Sequence, residues 1–372
     1  MPFDHHLCLV SDQATPNLTP ALDLDFRPKT VTLATSPQMQ EKARWISKVL
    51  SEQGIPVTAL TIPNPYDYSQ CWLTIAEWLD AQNDLVALNV TGGTKLMAMA
   101  AQDVFREANK PVFYVNVDND EVISLDPRGE TFTLPTRIRL RQYLEAHGFQ
   151  MLQHEKPDIT ATTRDFVNRL AFESERLGAV LGSLNYYAQQ AKQNLSSPEL
   201  TPELLTCDAF STLISMFEEQ NKLTIQNKRI IFPDETARQF VNGGWLEYLV
   251  YCVLSELAGK LNIADWGINL KVQALNGKNH NELDAACLLK NTLHIIECKS
   301  ANLESGTAGA EALYKLNSLR RMGGLRTKAM LIDYRGSLRD IDKSRAADMQ
   351  LTVVSGAQLR DLRGTLRGWL TK

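Results

Sequence analysis

The chain has 372 residues, of which 44% are hydrophobic and 22% charged, a composition typical of a folded protein with two or three domains. No apolar run approaches the roughly 18 to 20 residues of a bilayer span, and the N-terminus lacks the basic flank of a signal peptide, so we expect a cytoplasmic protein without membrane contact. The net charge is −4, but the positive charge is concentrated near the C-terminus. The segment from Lys299 to Lys372 has 14 Lys/Arg and 7 Asp/Glu, a charge of +7, which leaves −11 for the rest of the chain.

Short apolar segments alternate with helical patterns in the first 150 residues. Five of these segments are β-branched and bounded by polar or turn residues, as in strands covered on both faces: 6–11, 30–36, 56–62, 84–90 and 111–117. Between them, segments such as 39–54 carry apolar residues at helical spacing. The alternation predicts a doubly wound parallel sheet in an α/β, Rossmann-like domain, with an antiparallel addition in 120–136 around a turn at 126–129.

A glycine-containing loop follows the fourth predicted strand. Thr91-Gly92-Gly93-Thr94-Lys95 leads into a helix that is expected to begin at Leu96. Two glycines allow the backbone to approach a ligand closely, and the free N–H groups at a helix start favour an anion. The loop lacks the spacing of a Walker loop, and a tight turn capped by Thr94 is the alternative to a phosphate-binding loop.

Small polar residues also follow the first two predicted strands. They are Ser11, Asp12, Gln13 and Asn17 after the first strand, and Thr35 and Ser36 after the second. Each one alone would be an ordinary cap or turn residue. Because the carboxyl ends of parallel strands meet at one crevice, these residues and the glycine loop together predict a pocket for a polar, phosphorylated ligand.

The next segment, 151–240, is predicted to be a mainly helical connector or dimer region. Its apolar residues follow helical spacing, and 196–205 is interpreted as a turn followed by the start of a helix. No pattern in this segment indicates catalysis.

Carboxylates interrupt the apolar segments of the last part of the chain. An apolar helix over 243–258 carries Glu247, and three predicted strands follow at 268–275, 282–290 and 292–298. Side chains alternate along a strand, so Glu282 and Asp284 share one face, and Glu297 and Lys299 share one face of the next strand. Pairing of these strands would bring the two sets together.

Two carboxylates on neighbouring strands, Asp284 and Glu297, can form an oxygen-rich metal site with the backbone carbonyl of Cys298. Such ligands suit Mg²⁺ or Mn²⁺, and the six cysteines form no CxxC pair that would indicate zinc or disulfides. The ion would polarise a scissile phosphate, while Lys299 would orient water or stabilise charge and Glu247 would support the site. Asp, twelve residues, Glu-x-Lys is the pattern of PD-(D/E)xK nucleases, although Leu283 stands where their proline is usual. The alternative is a structural ion-pair network.

A helical pattern at 308–324 and a strand at 327–335 complete this predicted restriction-endonuclease-like αβββαβ core. Lys315 on the helix is the candidate for a further phosphate contact, with an ordinary exposed lysine as the alternative. Five arginines of the basic C-terminal segment could follow a nucleic-acid backbone: Arg335, Arg339, Arg360, Arg363 and Arg367. Arginine-rich surface helices are also common.

The sequence resembles the CRISPR-associated nucleases that join a CARF sensor domain to a restriction-endonuclease-like domain. NVTGGTKLMAMA (89–100), SDQATPN (11–17) and the Asp…ExK site carry the resemblance. It implies a CARF domain over 1–150, the connector over 151–240 and a PD-(D/E)xK nuclease domain over 241–372. It is weakest between about 150 and 240.

The resemblance implies a homodimer in which paired CARF domains bind one cyclic oligoadenylate, usually cyclic tetra-adenylate, across the twofold axis. By this resemblance the ligand would be surrounded by Ser11, Asp12, Gln13, Asn17, Thr35, Ser36 and the loop Thr91, Gly92, Gly93, Thr94 and Lys95. Binding would switch on a metal-dependent nuclease of type III antiviral defence that cleaves single-stranded DNA and RNA and can nick duplex DNA. Two alternatives remain: a restriction- or repair-type nuclease that no nucleotide controls, and a nucleotide-responsive binding module without catalysis.

Overall fold

The computed structural model describes residues 3–126, 129–277 and 280–372. The turn predicted at 126–129 includes Pro127 and Arg128, which lie outside the described residues. In the part of the chain that the structure describes, no helix is both long and apolar enough to cross a bilayer.

The N-terminal domain is a seven-stranded sheet with helices on both faces. Its strands are β1 (His5–Leu9), β2 (Thr30–Thr35), β3 (Val57–Thr61), β4 (Val86–Asn89), β5 (Val112–Asn116), β6 (Glu121–Ser124) and β7 (Thr131–Thr133). Their order is β3-β2-β1-β4-β5-β6-β7. The first five are parallel, and β6 and β7 pair antiparallel. The predicted doubly wound sheet with an antiparallel addition is confirmed.

Two pairs of helices cover this sheet. They are α1 (Thr15–Leu22) and α2 (Gln40–Glu52) on one face and α3 (Tyr68–Asp80) and α4 (Lys95–Glu107) on the other. The chain changes direction between β1 and β4, the point at which α/β sheets bind ligands at the carboxyl ends of their strands. The loops after β1 and β4 are therefore the expected place for a ligand.

The region after this sheet contains more strand than the sequence predicts. It comprises α5 (Leu140–Ala146), β8 (Phe149–Glu155), α6 (Ala161–Phe172), α7 (Ser174–Gln190), β9 (Ser196–Glu199), α8 (Pro202–Leu205), α9 (Asp208–Glu218), β10 (Thr224–Gln226), β11 (Arg229–Ile231) and α10 (Glu235–Gln239). The predicted turn at 196 is the strand β9, which joins β10 and β11 in a small antiparallel sheet. Strands of three or four residues are too short for a periodicity of two to emerge from the sequence.

Strand β8 spans the predicted boundary at residue 150. It pairs antiparallel with β12 and forms the edge of the C-terminal sheet. Only Met151 of its seven residues is fully buried, so the strand lacks the apolar alternation by which strands are recognised. Its backbone is ordered by pairing with β12, a partner more than a hundred residues later in the chain.

The C-terminal domain has the predicted αβββαβ order. Its elements are α11 (Trp245–Leu261), β12 (Asp265–Ala274), β13 (His280–Leu289), β14 (Thr292–Lys299), α12 (Ala308–Met322), β15 (Lys328–Asp333), α13 (Asp340–Asp348), β16 (Thr352–Ser355) and α14 (Leu362–Thr371). The sheet order is β16-β15-β14-β13-β12-β8, in which β12, β13 and β14 form an antiparallel meander. The prediction of a restriction-endonuclease-like arrangement is confirmed.

The two sheets share a buried apolar cluster. Ile46 of α2, Leu144 of α5 and Leu316 of α12 all belong to it. Nearby, the hydroxyl of Tyr143 donates a 2.7 Å hydrogen bond to the carbonyl of Gly323. Burial of apolar side chains from both sides makes this junction part of the folded core.

Candidate functional site

The predicted catalytic residues meet at a cleft of about 720 Å³ in the C-terminal domain. Glu247 from α11, Asp284 from β13, and Cys298 and Lys299 from the end of β14 all line it. Glu297 does not line the cleft and is fully buried. The structure thus places four of the five predicted residues on one surface and the fifth directly beside it.

Glu297 is held by two ammonium groups. Its Oε1 accepts a 2.7 Å hydrogen bond from Nζ of Lys299 and another, also 2.7 Å, from Nζ of Lys315. Its Oε2 is buried and has no hydrogen-bond partner among the described residues. A buried acceptor without a partner is costly, so this oxygen is available to a cation.

Asp284 is oriented by the backbone of the neighbouring strand. Its Oδ2 accepts a 2.8 Å hydrogen bond from the N–H of Cys298. Ala285 pairs with Ile296, so in the same register Asp284 falls opposite Glu297. Burial, followed by the charge of Glu297, raises the pKa of Asp284 to about 6.

Glu247 lies in the first turn of α11 and faces the same cleft. Burial, followed by the charges of Asp284 and Glu282, raises the pKa of Glu247 to about 8. Burial by itself lowers the pKa of Lys299, but the carboxylates of Glu297 and Asp284 outweigh it, so the pKa of Lys299 is raised. The cleft therefore favours the charged form of Lys299. Asp284 and Glu247 ionise more readily there when a positive charge, such as a cation, is bound beside them.

The available donors fit a hard divalent cation. Within the described residues, no group of three His, Cys, Asp or Glu side chains is arranged to hold a metal. Mg²⁺ characteristically keeps several waters and binds through one or two carboxylates, which is what Asp284, Glu297 and the carbonyl of Cys298 can supply. Oε2 of Glu297, which has no partner in the described part of the chain, supports this fit. The cysteine thiol is not the expected ligand, because burial raises the pKa of Cys298 well above its usual range.

The connector contributes to this cleft, which sequence reasoning missed. The amide nitrogen of Asn185 in α7 donates to the hydroxyl of Ser300 at 3.0 Å and to its carbonyl at 3.3 Å. Ser300 directly follows Lys299, and its hydroxyl also lies against Gly243, at the end of the π-helical turn that precedes α11. The Gly243-Gly244 doublet was the sequence feature that could have indicated a close contact at this point. These contacts hold the end of β14 against the start of α11.

Substitution of Gly243 by alanine is expected to disturb this junction. Gly243 has φ +123°, and a Cβ would lie 2.6 Å from the hydroxyl oxygen of Ser300. We expect Gly243→Ala to lower the free energy of unfolding by about 2 kcal/mol and cleavage by roughly 10-fold, because Glu247 follows four residues later. Denaturant unfolding and a cleavage assay measure the two effects. Gly259→Ala, in an open position of α11, is the control and should stabilise slightly; equal behaviour of both variants would contradict the role of Gly243.

In the N-terminal domain, several predicted ligand residues stabilise their own loops. Asn17 is buried and donates to the carbonyl of Leu9 at 3.1 Å. The hydroxyl of Thr91 accepts a 2.8 Å hydrogen bond from the N–H of Val115. Thr94 caps α4 by accepting from the N–H of Met97, so the helix begins at Lys95, one residue before the predicted start. These residues hold the shape of the crevice.

The other predicted ligand residues differ in accessibility. Ser11, Asp12, Gln13, Gly93 and Lys95 are at least partly exposed, whereas Thr35, Ser36 and Gly92 are buried. The carboxylate of Asp12 forms an ion pair with Lys42 of α2. A Cβ on Gly92 would lie 2.1 Å from the carbonyl oxygen of Leu9, so the glycine loop packs directly on the end of β1. The loops after β1 and β4 therefore meet, as predicted for the crevice.

Most of the C-terminal arginines have partners within the chain. Arg339 pairs with Asp342, Arg360 with Glu175 and Arg363 with Glu256, and the guanidinium of Arg335 packs over Gly182. These contacts reduce the unneutralised positive charge that this segment can offer to a nucleic acid. Lys315 is half-exposed and contacts Glu297.

A Rossmann-like domain is thus joined to a domain with a restriction-endonuclease-like core and an acidic cleft. Residues 5–143 match the family profile of the Card1 CARF domain, and residues 234–372 match that of the Card1-like endonuclease domain. The chain belongs to the CARF-domain nucleases of the Card1 type.

Solved structures show the same architecture. Protein VC1899 from Vibrio cholerae is 29% identical, with a TM-score of 0.90 over 99% of this chain and 98% of that one. Can2 from Sulfobacillus thermosulfidooxidans, solved in complex with cyclic tetra-adenylate, is 28% identical, with a TM-score of 0.83 over 99% of both chains. A type III CRISPR defence DNA nuclease activated by cyclic oligoadenylate is 19% identical, with a TM-score of 0.56 over 90% of this chain and 45% of that one, a likeness of fold alone. No curated protein gives a significant sequence match.

Proposed function

We propose that the chain is a metal-dependent nuclease of type III CRISPR antiviral defence that is activated by a cyclic oligoadenylate, with cyclic tetra-adenylate as the activator. The observation that carries the catalytic part is the meeting of Glu247, Asp284 and Lys299 at one cleft, beside a buried Glu297 with an unpartnered oxygen among the described residues. The match to a Card1 CARF domain and the likeness to Can2 with bound cyclic tetra-adenylate support the activator. In this proposal residues 1–150 bind the activator, residues 151–240 connect the two domains, and residues 241–372 cleave the nucleic acid.

The chain's own residues would position the reacting groups for PD-(D/E)xK chemistry. Asp284, Glu297 and the carbonyl of Cys298 would hold Mg²⁺ or Mn²⁺, which polarises the phosphate and lowers the pKa of water. The N–H of Cys298 fixes the orientation of Asp284, and Glu297 fixes the ammonium of Lys299. Lys299 donates to the attacking water or to a phosphate oxygen, and Glu247 would support the site from the first turn of α11. Water adds to phosphorus as the bond to one bridging oxygen breaks, leaving a phosphate monoester and a hydroxyl end.

Activation requires two arrangements of a homodimer with different affinities for the activator. A cyclic oligoadenylate has internal symmetry, so the crevices of two CARF domains can hold one ligand across a twofold axis. The ligand-binding residues would be Ser11, Asp12, Gln13 and Asn17 after β1, Thr35 and Ser36 at the end of β2, and Thr91 to Lys95 after β4. A sharp switch needs a difference of roughly 5.5 kcal/mol between the two arrangements.

Single-stranded DNA and RNA, and nicks in duplex DNA, are the proposed substrates. The cleft carries the partly exposed ring of Tyr248 and the ammonium of Lys222 besides its carboxylates. Stacking on an aromatic ring and backbone neutralisation by lysine are the contacts that single strands use, with little sequence preference.

A cleavage assay tests this function directly. Labelled single-stranded DNA, single-stranded RNA and duplex DNA are incubated with the protein, with and without Mn²⁺ and with and without cyclic tetra-adenylate. We expect cleavage only when both are present. Cleavage without the activator would favour a restriction- or repair-type nuclease, and activator binding without cleavage under any metal would favour a binding module.

A further inference from the structure

A second cavity lies at the junction of the two domains. It has a volume of about 350 Å³, adjoins a groove of about 440 Å³, and lies next to Ser11 and Asp12 at the end of β1. Helix α2 of the CARF domain and helix α12 of the endonuclease domain both line it. It shares no lining residue with the cleft of Asp284.

The groove carries positive charge that the described residues do not neutralise. Lys42 is paired with Asp12, but Arg321 is exposed and has no carboxylate or hydrogen-bond partner among the described residues. Arg320, also at the groove, makes only a 3.4 Å contact with the amide oxygen of Asn317, and its buried Nε has no partner in the described part of the chain. Arg320 and Arg321 both line the groove, so their positive charges add there and favour an anion.

The residues that line the cavity and groove offer contacts suited to a nucleotide phosphate. Guanidinium groups bind phosphate oxygens in a bidentate manner, which a lysine cannot do. Trp45, Ile46 and Met322 add an apolar wall on which a sugar or base can pack. The ring of Trp45 is seated against Gly148, where a Cβ would lie 2.6 Å from it, so the wall is a fixed part of the junction.

We infer that this junction cavity and the adjoining groove bind a phosphate of the cyclic oligoadenylate activator through Arg321 and Arg320, so that the endonuclease domain contacts the activator directly. The inference rests on the proposed function, because it takes the ligand of the adjoining crevice to be that activator. Ser11 and Asp12 border both the crevice and the cavity, so one ligand can span the two. The ion pair with Lys42 offsets the negative charge of Asp12, which would otherwise repel the phosphate.

The position of the arginines gives this contact a regulatory consequence. Arg321 and Lys315 lie on the same helix, α12, about 9 Å apart along its axis. The ammonium of Lys315 bonds to Glu297 at the catalytic cleft. A phosphate that shifts the end of α12 would therefore also shift Lys315, the partner of Glu297. If α12 has two positions, the activator favours the one to which it binds more tightly, and the catalytic cleft changes with it.

Isothermal titration of cyclic tetra-adenylate into the full-length protein tests the inference. We expect Arg321→Ala to weaken binding roughly 10-fold, and Arg320→Ala with Arg321→Ala about 100-fold, as for the loss of charge-assisted hydrogen bonds. Arg106→Ala, an exposed arginine near the end of α4 outside the cavity and the groove, is the matched control and should bind as the wild type does. Arg321→Glu is the independent variant, because its exposed position tolerates replacement, and it should bind more weakly than Arg321→Ala.

The concentration of activator that gives half-maximal cleavage should rise in parallel with the loss of affinity. Unchanged affinity in Arg321→Glu, with the wild type binding normally, would overturn this inference and leave the proposed function intact. Failure of the wild type to bind cyclic tetra-adenylate would overturn the activator assignment and this inference together.

Discussion

Replacement of Asp284 by asparagine, or of Lys299 by alanine, is expected to lower single-turnover cleavage by about 10³-fold, because each variant removes a group that acts in the transition state. Asp284→Asn removes one of the two carboxylates proposed to hold the cation. Lys299→Ala removes the ammonium that contacts both Glu297 and the cleft, while Lys315 still pairs with Glu297. Both variants should bind cyclic tetra-adenylate as the wild type does.

The fold should survive both changes. Burial raises the pKa of Asp284, so a neutral amide at that position relieves repulsion with Glu297 and should leave the melting temperature unchanged or higher. Glu256→Gln and Lys260→Ala, exposed positions on α11, are the matched controls and should retain full cleavage. Cleavage that persists in Asp284→Asn and Lys299→Ala would instead support a structural ion-pair network.

Gly92→Ala is expected to weaken activation through the CARF domain strongly. A Cβ at this position would lie 2.1 Å from the carbonyl oxygen of Leu9 and 3.3 Å from the hydroxyl of Ser11. The glycine loop must then move away from β1, which we expect to cost about 3 kcal/mol of folding free energy. Loss of two or more hydrogen bonds from the displaced loop to a phosphate would weaken activator binding about 100-fold.

Titration calorimetry and denaturant unfolding measure the two effects of Gly92→Ala. Gly368→Ala is the control, because no atom lies within 4 Å of its added methyl group and it sits in α14. It should stabilise the protein by about 0.5 kcal/mol, as expected of alanine in a helix. Normal activation of Gly92→Ala would mean that the loop does not contact the activator.

The regular elements could be predicted because their periodicity is strong. The buried parallel strands β1, β2 and β4 and the amphipathic helix α2 were all placed within two residues of their observed ends. The meander of β12 to β14 was predicted from apolar runs that Asp284 and Glu297 interrupt. A charge within an otherwise buried strand is costly, so its presence indicated a site.

Contacts between distant segments could not be predicted in the same way. β8 is ordered by its pairing with β12, and its own residues alternate too weakly to indicate a strand. The Asn185–Ser300 hydrogen bonds join an unremarkable helix to the end of β14. Arg321, which lacks a carboxylate partner among the residues that the structure describes, gave no signal among the many arginines of the basic segment, because a sequence does not reveal which of them find such a partner.

Binding of Mn²⁺ is the measurement that tests the proposed catalytic site most directly. Titration followed by electron paramagnetic resonance, on the wild type and on folded Asp284→Asn, compares their affinities. We predict a saturable site in each wild-type chain and affinity at least about 10-fold weaker in the variant, as for loss of a carboxylate ligand. Equal Mn²⁺ binding by the two proteins, or full cleavage in the presence of a chelator, would contradict the account.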